Sequence, residues 1–384
     1  MSYLPCGQYF ENYGEDQKWW RTPFIKAKMI FMVLVLVSFP AFFDSQWLSV
    51  AYTINYYILA ALGVQLLIGY CGQITLGHAA FVAVGAYCSA MMVLFIPWPQ
   101  FMVDAGLAYP ISMITAGFAA GLWSVLFGLP SARVKGFYLI MTTMAAQWIT
   151  VPLVITQYVS QIGGRGQAFS IPPGTIKIGP IAIDESSMLG SWEISGDMKL
   201  YYFSVLLVAL CLVATGNLLR SKIGRAWIAI RDNDIAAETM GVNIVGYKLL
   251  AFFVAGFFAG IAGSFYVSTL SFVSPEHYEW FYSLLWVGII LIGGVGSIQG
   301  LVFGSAFVVL VFKFLEMAVL GASDMLMESY PSLGWMTTKF IFFKESAFGL
   351  AIIFFLIYEP NGLSYRYWQL KNYFNLWPFS YTGK

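Results

Sequence analysis

Ten apolar stretches divide this chain of 384 residues, and most are as long as a bilayer is thick. They run over about 27–43, 48–69, 76–95, 108–129, 136–157, 200–219, 249–271, 280–295, 301–320 and 340–358. A hydrocarbon core of about 30 Å takes roughly 20 helical residues to cross. Backbone in lipid must satisfy its own hydrogen bonds, which leaves helices as the economical reading of such stretches. The expected fold class is therefore all-α: a polytopic membrane protein of about ten membrane helices. Composition agrees, with 59 % hydrophobic and only 10 % charged residues against roughly a quarter charged in soluble domains. A net charge of +1 and the lack of any basic run give no footing for nucleic acid.

Positive charge sets the expected sidedness. With the N-terminus inside and the spans alternating, fourteen of the twenty Lys and Arg fall on the cytoplasmic side, as the bias of basic loops requires. Both termini are then cytoplasmic. The first residues mix Glu11, Glu15 and Asp16 with Lys18, Arg21, Lys26 and Lys28. That is not the basic-then-apolar order of a cleaved leader. The expected division is a cytoplasmic tail over 1–28, a membrane-spanning domain over 29–358 and a cytoplasmic tail over 359–384. Cys6, Cys71, Cys88 and Cys211 lie in the tail or in apolar spans, so no disulfide framework is expected.

Two hydrophilic insertions interrupt the spans. The cytoplasmic one, over 220–248, holds Arg220, Lys222, Arg225, Arg231 and Lys248 between apolar flanks. Within it, 232–241 reads as a short amphipathic helix. Asp232, Asn233 and Asp234 suit its N-terminus by capping and by charge against the helix dipole. Ile235, Ala236 and Met240 supply an apolar contact face, in which Ala237 is also expected. Glu238 is free for a basic partner, and Gly241 suits the stop. The external insertion, over 158–199, contains a Gly163-Gly164-Arg165-Gly166 run and a TIKIGPIAI stretch that alternates about Gly179-Pro180 like a small hairpin. It reads either as a solvated connector or as a docking surface, with Arg165, Asp184 and Glu185 the residues to face a partner.

Two Gly-rich interruptions, 69–78 and 293–300, join spans without a hydrophilic loop. Non-helical backbone at membrane depth is tolerated where protein or a water-filled cavity satisfies it, and broken helices accompany transport pathways. The bland alternative is a tight turn at the interface. Gln73, Thr75, His78, Gln147, Ser297 and Gln299 are the candidate pathway residues, although glutamines in spans also serve as glue between helices. Thr75 is placed to cap a helix beginning near Leu76. Lys313 and Glu316 stand three apart and should pair on one helical face. Small residues four apart, at Gly117/Gly121, Gly256/Gly260 and Gly296/Gly300/Gly304, allow close helix packing.

Catalytic signatures are missing. The sequence has no G-x-x-x-x-G-K-[ST] phosphate loop, no H-E-x-x-H, no cysteine pair at zinc spacing and no G-x-S-x-G turn. Neither a metal nor a cofactor is expected, and intramembrane acids are too few for a carboxylate proton relay.

The stretch GYCGQITLGHAAFVAVGAY, from Gly69 to Tyr87, resembles the signature of permease subunits of branched-chain amino acid ABC importers, matching it at Gly72, Gln73, Leu76, Gly77, His78, Ala79, Phe81, Gly85 and Tyr87. Ser221 to Met240, with Gly224-Arg225-Ala226, Ala229-Ile230-Arg231 and Ala236-Ala237-Glu238, is similar to that family's cytoplasmic region. Ser274-Pro275, Gly293-Gly294 and Gly296-Ser297 give a third match, and the resemblance covers about 45–363. It implies a transport subunit without an ATPase site of its own. It also implies a second related permease as heterodimer partner, two cytoplasmic ATPase subunits and a periplasmic solute-binding protein. The segment from Arg231 to Gly241 would be the coupling element that receives the ATPase motion. The solute would be a branched-chain amino acid or, as in sister permeases, urea, a short amide or an aromatic acid. The run from Ile162 to Gln167 departs from the family pattern and sets a cation in the outer mouth. Outside this class, the alternative is a secondary transporter or channel.

Overall fold

The computed structural model describes residues 9, 12, 23–131, 134, 136–158, 168–179, 181–183, 185–189, 192–329 and 340–376. Arg165 and Asp184, both named above, lie outside them. Helices dominate, as the apolar stretches require: α1 (Pro23–Phe42), α2 (Ser45–Val64, running on as a π-helical turn Gln65–Tyr70), α3 (His78–Phe95), a short α4 (Gln100–Asp104), α5 (Ala108–Ser131) and α6 (Phe137–Trp148, running on as a π-helical stretch Ile149–Tyr158). There follow α7 (Gly196–Arg220), α8 (Lys222–Asp232), α9 (Asp234–Thr239), α10 (Ile244–Leu270), α11 (Trp280–Gly293), α12 (Ile298–Ser329), α13 (Phe340–Tyr358) and α14 (Leu363–Leu376).

Among the described residues, eight helices are long and apolar enough to cross a membrane by length and composition. They correspond to eight of the ten expected spans. The tenth stretch, in α13, forms with α14 a pair bent by 45°. The stretch at 280–295 differs more. Its helix α11 has 14 residues, about 21 Å at 1.5 Å per residue, short of the full hydrocarbon thickness.

The core is built on α10, which packs against α5 and α3 through small residues. A methyl carbon added at Gly260 would lie 2.5 Å from the Ala116 carbonyl oxygen and 2.8 Å from Gly117 Cα; one at Gly256 would meet Ser124 Cβ at 2.6 Å. Of the glycines read at spacing four, Gly117 and Gly260 thus meet across the α5–α10 crossing, while Gly121 faces the Phe253 ring, as close approach of helix backbones demands. Hydroxyls tie the same helices. Ser124 Oγ donates to the Phe252 carbonyl at 2.6 Å, and Ser89 and Ser264 are 2.8 Å apart.

Among the described residues, three short antiparallel pairings decorate the end of the bundle away from α8 and α9: Lys177–Ile178 with Ile181–Ala182, Ser187–Leu189 with Trp192–Ile194, and Phe169–Ser170 with Phe272–Val273. The first is the hairpin expected at Gly179-Pro180. The third was not expected; it ties the long insertion to the chain between α10 and α11. Lys313 and Glu316 pair at 3.3 Å, as their spacing foretold.

Candidate functional site

The two Gly-rich interruptions touch. A methyl carbon added at Gly69 would lie 2.7 Å from Gly296 N, a contact only two glycines allow. Gln65 Nε2, from the π-helical turn, donates to the carbonyls of Gly294 (3.3 Å) and Ser297 (3.0 Å), so the end of α2 satisfies carbonyls freed by the second break. Ser297 Oγ accepts from Gly300 N at 3.1 Å and so caps α12. Gly294 and Gly296 have φ of 120° and 79°, which only glycine adopts readily.

Arg231, the penultimate residue of α8, reaches this joint. Its guanidinium donates to the Gly69 carbonyl. Its side-chain carbons lie 3.3 Å from where a Cβ at Gly72 would stand, and its Nη1 is 3.0 Å from the equivalent point at Gly296. The guanidinium therefore bridges α8 and both interruptions. Sequence reasoning placed Arg231 with the residues facing an ATPase; the residue is exposed, and its guanidinium also holds a carbonyl left open by the first break.

α8 itself is seated by Gly224, Ala226, Trp227 and Ile230, all buried, and Trp227 Nε1 donates to the Tyr247 carbonyl at 2.8 Å. α9 follows at once. Its cap is Asn233, whose Oδ1 accepts from Ala236 N at 3.1 Å, while Asp232 still belongs to α8. The short helix thus starts two residues later than the sequence implied. Gly241 ends the segment with φ of 84°. Ile235 is 68 % exposed and Met240 85 %, and Ala236 and Glu238 are exposed too. Ala237 corrects the expectation: it is 4 % exposed and packs inward, about 200° round the helix from the exposed Ile235.

The chain between α2 and α3 climbs back into the bundle. His78 Nε2 lies 3.0 Å from the Ala60 carbonyl, and Ala60 is ten residues before the end of the π turn, about 15 Å along the axis. α3 therefore starts deep inside. Its first N–H groups are met by neighbours: Ala79 N donates to Ser283 Oγ of α11 at 2.8 Å, and Leu76 N donates to Thr143 Oγ1 of α6 at 3.2 Å. Thr75 does not cap a helix at Leu76. The helix starts at His78 with Gly77 at its cap position, and the buried Thr75 Oγ1 accepts from Gly77 N at 3.4 Å. Gly77 has no room for a side chain because the Thr143 backbone lies against it.

Of the six pathway candidates, His78 and Gln147 meet one aromatic cluster. Gln147 Nε2 donates to the Tyr278 carbonyl at 2.6 Å. The His78 and Trp286 rings are 5.8 Å apart, Trp286 is 6.5 Å from Tyr56, Tyr56 stacks on Tyr266 at 4.4 Å, and Tyr266 is 6.2 Å from Tyr278. Thr75 sits beside His78 in sequence and is buried. Gln73 is buried and donates to the Cys71 carbonyl at 3.4 Å. Ser297 stays at the joint, and Gln299 is exposed beyond it. Sequence reasoning missed Trp286, Tyr278 and Tyr56, since aromatic residues within apolar runs carry no mark of their own. Of the external docking candidates, Glu185 is described and exposed. No group of His, Cys, Asp and Glu among the described residues is arranged to hold a metal.

A chain of membrane-length helices with a polar helical appendage bound to its interior breaks belongs to the class of polytopic membrane transport proteins. Residues 46–330 match the model of a family described as branched-chain amino acid transport system / permease component, and the chain belongs to that family. It is 29 % identical over 287 residues to the high-affinity branched-chain amino acid transport system permease protein LivM of Salmonella typhimurium (strain LT2), and 28 % identical to LivM of Escherichia coli (strain K12). Each alignment covers 71 % of this chain and 65 % of the relative. The guanosine ABC transporter permease protein NupQ of Bacillus subtilis (strain 168) is 25 % identical, over 52 % of this chain and 60 % of its own length. No solved structure matches.

Proposed function

We propose that this chain is the membrane-spanning permease subunit of an ATP-driven importer for a branched-chain amino acid in a bacterial inner membrane. A periplasmic binding protein delivers the solute, and two ATPase subunits bind on the cytoplasmic side. A second, related permease completes the pathway as heterodimer partner. In this reading the α8–α9 end is cytoplasmic and the strand-bearing end periplasmic, in keeping with the distribution of Lys and Arg, and both termini are cytoplasmic. The tails over 1–28 and 359–384 flank a permease domain over 29–358, and Glu185 belongs to the surface that receives the binding protein.

One observation carries the reading. α9 presents Ile235 and Met240 to solvent while the helix before it holds both interruptions through Arg231. An ATPase gripping α9 thereby pulls on the joint between α2 and α12, and the helices on either side part or close. The chain needs no nucleotide site for this: binding energy enters by shifting the balance between two arrangements of the bundle. A second reading keeps this machinery and changes the solute, because other relatives are named for guanosine and for autoinducer 2.

The test is co-purification. Tagged chain extracted in mild detergent should carry a nucleotide-binding subunit, and Met240→Glu should lose it while the permease remains folded. A tagged chain that brings no nucleotide-binding subunit, or a Met240→Glu variant that still holds one, contradicts the assignment.

A further inference from the structure

Four buried polar atoms within one set of touching residues have no hydrogen-bond partner: His78 Nδ1, Gln147 Oε1, the Tyr278 hydroxyl and Trp286 Nε1. The four side chains are at most 3 % exposed. Unpaired polar atoms at such depth are uncommon, because each forfeits its hydration without recompense. His277 Nδ1, whose ring lies 5.8 Å from that of Tyr266, is a fifth such atom at the border of the set, and others lie farther off, as at Thr215 and Ser305. Here they come from the start of α3, from α6, from α11 and from the turn before it, and the ring contacts of His78, Trp286, Tyr56, Tyr266 and Tyr278 link them.

Their chemistry is mixed. His78 Nε2 faces a carbonyl oxygen, so in the neutral ring it carries the proton and Nδ1 is an acceptor. Gln147 spends its amide nitrogen on the Tyr278 carbonyl, which leaves its oxygen as an acceptor. Trp286 Nε1 is a donor only, and the Tyr278 hydroxyl serves either way. No Asp, Glu, Lys or Arg contributes an atom to the set. Beside it, Tyr87 has its ring 6.3 Å from that of Tyr278 and also lines an apolar hollow of about 400 Å³ with Val84, Met91, Trp123 and Ile155.

We propose that these four atoms form a solute station inside the bundle, which takes a net-neutral solute bearing both donors and acceptors beside an apolar group: a zwitterionic aliphatic amino acid. The rings are packed together in the arrangement described, so the solute enters when α3 and α11 part. Neutral groups suit a station that must release what it holds, since a fixed ionic partner would retain one end of the zwitterion. The inference rests on the permease reading and names the residues that meet the solute.

Tyr278→Phe tests it, because it removes one unpartnered hydroxyl and keeps the ring. Tyr109→Phe is the contrast; its hydroxyl donates to the Ser264 carbonyl at 3.2 Å. The assembled importer in proteoliposomes is assayed for ATP-driven uptake of radiolabelled leucine from loaded binding protein, and the Tm of the same complexes is measured. Tyr278→Phe should leave Tm unchanged or higher and cut uptake about three- to tenfold, the value of one uncharged hydrogen bond. Tyr109→Phe should lower Tm and leave uptake near normal. A lowered Tm in Tyr278→Phe, or uptake within about twofold of the unaltered importer, overturns the station. An unaltered importer that moves no leucine overturns the branched-chain assignment instead, and the Tm of Tyr278→Phe then still decides whether the hydroxyl has a structural partner.

Discussion

Gly69→Ala loads the joint between the two interruptions directly. The new methyl carbon lands 2.7 Å from Gly296 N, 3.0 Å from Gly296 Cα and 3.3 Å from Gln65 Cδ. Ordinary contact begins at 3.4 Å, so the backbones must separate by about 0.7 Å. Neither side yields easily. Gly296 sits at a positive φ that fixes its turn, and Gln65 is held by two carbonyls of the facing segment. Overpacking of this kind costs about 1–3 kcal/mol, which biases the joined against the parted arrangement by about 5- to 150-fold. The same separation moves the Gly69 carbonyl away from Arg231 and loosens α8. In proteoliposomes the variant complex should remain assembled, yet its ATP hydrolysis should no longer rise with loaded binding protein, and uptake should fall with it. Gly349→Ala is the control: nothing lies within 4 Å of the added carbon, and a helix gains from the exchange. A Gly69→Ala importer with normal stimulation and normal uptake would refute the idea that the joint transmits motion.

Ile235→Arg and Ala237→Arg separate the two faces of α9. The first alters an exposed position, should change stability by less than about 0.5 kcal/mol and should release the ATPase. The second forces a guanidinium into a buried seat and should lower the Tm of the permease as well. Asn233→Ala removes the cap that holds Ala236 N and should destabilise the segment by about 1 kcal/mol, read as weaker ATPase retention with little change in Tm. Single cysteines on a cysteine-free background test sidedness: an impermeant reagent applied to intact cells should label position 185 and spare 225 and 371. Labelling at 225 with none at 185 would invert the orientation.

Much of this was legible in the sequence because lipid allows few solutions. Length and apolarity alone located eight membrane-length helices and alternation about Gly179-Pro180 gave the hairpin, while the spacing-four glycines promised close packing without showing which helices would cross. The stretch at 280–295 was already shorter than its neighbours in the sequence, and α11 keeps 14 residues of it. The contact of Gly69 with Gly296 was invisible because a glycine has no side chain to hint at its partner across 227 positions. Ala237 misled for a related reason: in a segment of six helical residues with apolar groups on more than one face, the sequence does not show which face is seated. The bond from Arg231 to the Gly69 carbonyl was not legible, because sequence does not show which carbonyls a helix break leaves open. The unpartnered atoms of Tyr278 and Trp286 belong to aromatic residues that apolar stretches carry in abundance, and only the packing singles them out.

The central claim is that nucleotide hydrolysis by bound subunits drives solute past this chain. Proteoliposomes holding this permease with its partner permease and ATPase subunits, supplied with loaded binding protein on one face and ATP on the other, measure it directly. Radiolabelled leucine should accumulate only with ATP, in proportion to its hydrolysis, and should stop when the ATPase subunits are omitted. Accumulation that runs on a proton or sodium gradient with no nucleotide present would contradict the account and make the chain a secondary transporter.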